Sequence, residues 1–175
     1  DTSPLVRRAV DVVLGVAMHA STRALMLQSP AALAAWPDEQ VTPTEAPVDG
    51  SQAYTYTSVA DSYVLATRPN TNFGQSVKLQ ADGAPVARSY LRFDLQGLAD
   101  PVMKAELLLY TGSGSSTGFQ VNAVDDNTWT EDGITFANAP APGVLIANSG
   151  PFARNDWKAV DVTALVHGNG AVNLA

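Results

Sequence analysis

The chain has 175 residues, 46% of them hydrophobic and only 15% charged, with a net charge of −7 and no cysteine. That length suits one domain plus additional chain, and the missing cysteines exclude disulfide scaffolds, thiolate metal sites and cysteine nucleophiles. Residues 60 to 175 hold eleven acids, seven bases and no run of Lys or Arg, which excludes a nucleic-acid partner, because gripping that backbone takes a basic stripe.

Residues 1–35 stand apart in composition. Arg7 and Arg8 precede the apolar run from Val12 to Met18, and Ala32-Leu33-Ala34 follows. A basic start, an apolar middle and small residues in an A-x-A-like pattern are the order of a secretory signal peptide. Asp11, His19 and Arg23 interrupt the run, so a short N-terminal helix packed on the domain is the competing reading. A membrane-spanning helix needs about 20 nearly uncharged residues, which this stretch does not offer. Residues 36–58, with Pro37, Pro43 and Pro47 among Thr, Glu, Asp and Gly, read as a Pro-rich linker, since proline cannot donate to helix or sheet.

From residue 59 to 175 the pattern is that of β-strands. In Val86 to Leu95, Leu91, Phe93 and Leu95 share one face, and Arg88, Tyr90, Arg92 and Asp94 the other. Such alternation marks a half-buried strand. Further strands are expected at 61–65, 77–80, 103–111, 119–124, 133–136 and 158–162. In the strand 103–111, Leu108 and Tyr110 oppose Ala105, Leu107 and Leu109, which suggests burial on both sides. Breaks rich in Gly, Asn and Pro separate the strands, as tight turns require. Residues 163–167 are expected to form a single helical turn. Many short strands divided by turns imply an all-β antiparallel sandwich or jelly roll.

Several segments together resemble a known family. They are Ala60-Asp61-Ser62-Tyr63-Val64, Pro69-Asn70-Thr71-Asn72-Phe73-Gly74, and Arg88 through Leu95. Ala105 through Tyr110, Asn127-Thr128-Trp129-Thr130-Glu131, Ile134 through Pro140, Trp157 and Asp161-Val162-Thr163 continue the match. In this order and spacing they are similar to the DNRLRE domain, also classed as carbohydrate-binding module family ninety-six. The resemblance implies a secreted or surface jelly roll that binds an acidic, alginate-like polysaccharide without catalysis, often beside a polysaccharide-degrading enzyme. The family's closing strands are not matched, and the chain ends at Asn173-Leu174-Ala175, where another strand is expected to begin. A sandwich short of a strand exposes unpaired backbone. A neighbouring domain or subunit that donates a closing strand is therefore an expected partner, and a structural or adhesive surface module is the alternative function.

The candidate sugar contacts are Arg88, Tyr90, Arg92, Lys104 and Trp157. A guanidinium can hold a uronate carboxylate through two parallel hydrogen bonds, and an aromatic ring can stack on the C–H face of a sugar. The structural alternative pairs the arginines with Asp94 or Glu106. Trp129, followed by Ile134 and Phe136, reads as a packed corner rather than a platform, and Asn70, Asn72 and Gly74 as a turn bonded to its own backbone. No metal site and no cofactor is expected, although Asp125, Asp126, Glu131 and Asp132 crowd one loop and leave a structural Ca2+ open. Gly114-Ser115-Ser116-Thr117-Gly118 satisfies G-x-S-x-G, but a nucleophile elbow requires a following helix. The histidines, His19 and His167, offer no suitable base, so no catalytic residue is assigned.

Overall fold

A computed structural model describes the backbone of Val12–His19 together with residues 51–98 and 102–175. The strands among these are β1 (Val12–His19), β2 (Ser51–Thr57), β3 (Ala60–Leu65), β4 (Asp82–Gly83) and β5 (Val86–Leu95). They continue as β6 (Val102–Thr111), β7 (Gln120–Asn122), β8 (Leu145–Asn148), β9 (Asp156–Asp161) and β10 (Gly170–Leu174). Every pairing between them is antiparallel. One sheet runs β2-β1-β6-β9 and a second runs β10-β5-β3, with β4 attached to β5 and β7-β8 forming a separate ribbon. Among the described residues the one helical element is a turn of 3-10 helix at Thr163–Leu165.

The two larger sheets face each other across one apolar core. Leu91, Phe93 and Leu95 of β5 and Val172 and Leu174 of β10 meet Ala105 and Leu107 of β6 and Val160 of β9 in a single buried cluster. Tyr54 and Tyr56 of β2 pack against its edge. These residues lie on the inner side of the alternation in each strand, because successive side chains point to opposite faces. The all-β sandwich expected from period two is the observed architecture.

Details of the expectation change. Ser51–Thr57 falls within the expected linker yet is a strand. Tyr54 and Tyr56 are half-buried while Ala53, Thr55 and Thr57 are exposed, and no proline follows Pro47 there to interrupt the pairing. Val12–His19, read as leader or helix, is also a strand. The rest of residues 1–50 lies outside the described residues, so the leader and most of the linker reading cannot be placed. Residues 77–80 form no strand and instead lie beside β5, where the Ser89 hydroxyl donates to the Gln80 carbonyl and accepts from its amide. Residues 133–136 form turns, in which the amides of Gly133 and Ile134 donate to the Thr130 carbonyl. At the C-terminal end, β10 pairs fully with β5, and Ala175 exchanges two backbone hydrogen bonds with Asn122.

Candidate functional site

The outer faces of the two sheets are treated differently. On the β10-β5-β3 sheet, residues 124–143 lie across the strands and bury a second apolar cluster of Val64, Tyr90, Val124, Trp129 and Ile134. Tyr90 has no exposed surface. Its hydroxyl donates to the Pro140 carbonyl at 2.6 Å, and its ring meets Trp129 edge-on with centroids 5.9 Å apart. Burial pushes the Tyr90 phenol pKa up, and the neighbouring Arg88, by charge and hydrogen bond, pulls less strongly the other way.

Arg92 ties the covering loop down. Its Nε donates to Asn173 Oδ1 at 2.9 Å, and one terminal nitrogen donates to the carbonyls of Asn127 and Trp129, both at 2.6 Å. Its guanidinium also lies 4.7 Å over the Trp129 ring. Trp129 Nε1 donates to the same Asn173 oxygen. The segment after β3 clamps the loop from the other side. Asn72 Nδ2 donates to the carbonyls of Glu131 and Ile134, while its Oδ1 accepts from the Gly74 amide. Gly74 approaches so closely that a Cβ there would lie 2.2 Å from the Glu131 carbonyl oxygen, which admits only glycine. Thus the segments that carry the family resemblance hold one another in place.

Among the described residues, no such cover lies over β6 and β9 on the outer face of the β2-β1-β6-β9 sheet. Register places Glu106 opposite Asp161, Leu108 opposite Ala159 and Tyr110 opposite Trp157. Tyr110 is 50% exposed. It meets the Trp157 ring edge-on, with centroids 5.6 Å apart and planes at 69°. The pair forms an aromatic corner that presents an apolar surface to solvent. Lys104, further along β6, pairs with Glu106 at 3.2 Å. The Asp161 carboxyl is held below its usual range by hydrogen bonds from the Thr163 hydroxyl and amide, with a smaller contribution from Lys104.

The five expected contacts therefore do not form one site. Lys104 and Trp157 share the open face of β6 and β9. Arg88, Tyr90 and Arg92 lie on the opposite sheet, under or beside the loop. Tyr90 is corrected from ligand contact to core, and Arg92 to a loop anchor. Its partners are carbonyls and Asn173 rather than the acids Asp94 or Glu106. Arg88 remains exposed, with its guanidinium 5.6 Å from the Phe136 ring centroid. Tyr110, expected to be buried, is the residue that sequence reasoning missed. Lys104 and Glu106 belong to the same alternating set, and two charges on one side of a strand mark that side as the solvent face.

The acidic loop is dispersed among separate partners. Asp126 accepts from the Thr128 hydroxyl and amide, which hold its carboxyl below the usual range. Asp132 accepts from Gln75, and Glu131 from the Asp61 amide. Among the described residues no three His, Asp or Glu side chains converge on a metal position. The Ser115 hydroxyl accepts from the Gly118 amide within its own turn, and Ser115 pairs in a β-bridge with Phe152. Strand-like pairing rather than a helix surrounds this G-x-S-x-G, and it is not an elbow.

A β-sandwich with one locked face and one face bearing an exposed tyrosine beside a half-buried tryptophan is the frame of a binding module. The chain belongs to carbohydrate-binding module family 96, whose profile matches residues 52–174. That membership makes it a carbohydrate-binding module, a class defined by binding its ligand. No curated protein matches the chain.

Proposed function

We propose that the protein is a non-catalytic module of a secreted or surface protein, and that it binds an acidic polysaccharide of the alginate type on the open face of β6 and β9. The observation that carries this reading is the Tyr110–Trp157 corner, in which Tyr110 is exposed and Trp157 half-buried. A large aromatic ring left in solvent, as Tyr110 is, costs free energy that a ligand's apolar surface can recover. Family membership supplies the ligand class. Lys104, with its side chain 48% exposed on the same face, supports acidity in the ligand, because a uronate carboxylate can compete with Glu106 for its ammonium. The weakly charged composition fits a module that works outside the cell.

A second reading has its own support. Glu106 and Asp161 flank Lys104 on that face, and two carboxylates beside one ammonium favour an uncharged glycan. Electrophoretic retardation in gels containing alginate, pectin or a neutral glucan separates the two. The acidic reading expects retardation by alginate that weakens as salt rises, since exposed charge pairs are screened. Retardation by the glucan alone selects the neutral reading, and retardation by no polymer in a broad panel removes both.

A further inference from the structure

The central position of β1 in its sheet is unusual for its origin. The family match covers residues 52–174, and β1 lies outside it. Yet β1 is hydrogen-bonded on both sides, to β2 from Val13↔Thr57 to His19↔Ser51 and to β6 from Val12↔Leu109 to Met18↔Val102. Within this sheet β2 has no other strand partner. Without β1, the strands β2 and β6 would stand about 10 Å apart, twice the spacing of paired strands. Their facing amides and carbonyls would then lack partners, a condition that templates pairing with another chain. The matched stretch alone thus contains a slot one strand wide, and a segment from outside the match fills it.

The path into the slot is long. His19, the last residue of β1, pairs directly with Ser51, the first of β2, so the intervening residues 20–50 need close a gap of only about 5 Å. Fully extended, a segment of that length reaches on the order of 100 Å. A connector with so much surplus length lowers the effective concentration of its own strand at the slot. A strand supplied by a second copy makes the same backbone contacts as one supplied in cis.

We propose that the space between β2 and β6 is a strand-acceptor site, that its occupant is Val12–His19, and that copies of this chain exchange this occupant. Retention of residues 12–19 in the folded protein is part of the proposal, which therefore opposes their removal as a leader.

The absence of native cysteine gives a clean test by disulfide trapping in the full chain. Gly15 is the register partner of both Glu106 and Thr55, and opposed residues of antiparallel strands lie within disulfide reach. In dilute solution, Gly15→Cys/Glu106→Cys and Gly15→Cys/Thr55→Cys are expected to close within one chain, well ahead of the off-register control Gly15→Cys/Gln75→Cys. Closure no better than the control overturns the assignment of the occupant. For exchange, the single variants Gly15→Cys and Glu106→Cys are mixed at high concentration and then oxidised. A disulfide between them can form only across two copies, and its yield is expected to exceed that of Gly15→Cys mixed with Gln75→Cys several-fold. Internal closure without this cross-link overturns exchange. Hydrogen exchange on the unsubstituted protein guards against a misfolded variant. The amides of 12–19 are expected to be protected like those of β6, and free exchange there overturns the proposal.

Discussion

The strands β5 and β6 carry nearly the same pattern and meet opposite fates. Each has ten residues, each alternates, and each places at least one basic residue and a tyrosine on the outer face of its sheet. On β5 that tyrosine, Tyr90, is sealed beneath Trp129, whereas on β6 Tyr110 is 50% exposed. The difference lies in the chain that crosses each face. Residues 124–143 bring Trp129 and a row of carbonyls over β5, and Arg92 satisfies those carbonyls. Nothing comparable crosses β6 and β9 among the described residues. A buried polar group must find partners, so Arg92 on the covered face became an anchor. The face without a cover kept Tyr110 in solvent.

The sharpest way to break this contrast is to truncate the two tryptophans. Trp129→Ala removes a side chain that is 6% exposed, along with its ring contacts to Tyr90 and Arg92 and its bond to Asn173. The expected cost is about 3–5 kcal/mol, read as a fall in the denaturation midpoint at unchanged slope. Trp157→Ala removes a half-buried ring packed on Tyr110 and is expected to cost less, about 1 kcal/mol. Equal losses would show that the β6–β9 face is structural as well.

Next comes binding. Trp157→Ala and Tyr110→Ala are each expected to weaken polymer retardation about tenfold, near 1.4 kcal/mol, while stability holds. Unchanged retardation in both variants would remove the aromatic corner as the site.

How much of this contrast was legible beforehand follows from where its causes sit. Alternation sorts side chains into two sets, so the core face of β5 and the half-burial of each strand could be read directly. It does not say which outer face another segment will cover. Arg88, Tyr90 and Arg92 look like a ligand face on their own strand, and only the distant Asn127, Trp129, Pro140 and Asn173 reveal Tyr90 as core and Arg92 as the anchor of the covering loop. The same gap explains 133–136, whose alternation mimics a strand while Thr130 draws the backbone into turns. The strand β2 was legible in Tyr54 and Tyr56, but proximity to the prolines masked it. The position of β1 rests on pairing with β6 across some ninety positions of sequence, which no local pattern encodes. Lys104 and Glu106 did mark the solvent side of β6, and with it Tyr110.

A smaller effect probes the covered face through pH. Tyr90→Phe deletes the hydrogen bond to the Pro140 carbonyl, at an expected cost of about 1 kcal/mol. Burial raises the Tyr90 pKa in the folded chain above its ordinary value of 10.0. The unfolded chain therefore loses this proton first. The stabilising contribution is complete below about pH 10 and declines as pH rises from there through the folded value. Denaturation midpoints are expected to fall more steeply above pH 10 in the parent than in Tyr90→Phe. Parallel curves would mean that the phenol is accessible to water, and the lid description of residues 124–143 would fail with it.

The smallest expected change discriminates most between the two faces. Arg88 is the exposed cation of the covered side, with its guanidinium over Phe136, a contact worth about 0.5–1 kcal/mol at such a site. Arg88→Gln keeps a polar side chain and removes the charge. If the polymer lies on β6 and β9, retardation by alginate should change less than about twofold, because exposed charges on opposite sides of a sandwich are separated by about a Debye length or more at physiological salt. A loss confined to acidic polymers, with neutral ones unaffected, would move the binding site to the rim of the lid beside Phe136. The aromatic corner of Tyr110 and Trp157 would then be an open face without a ligand, and the contrast between β5 and β6 would describe stability alone.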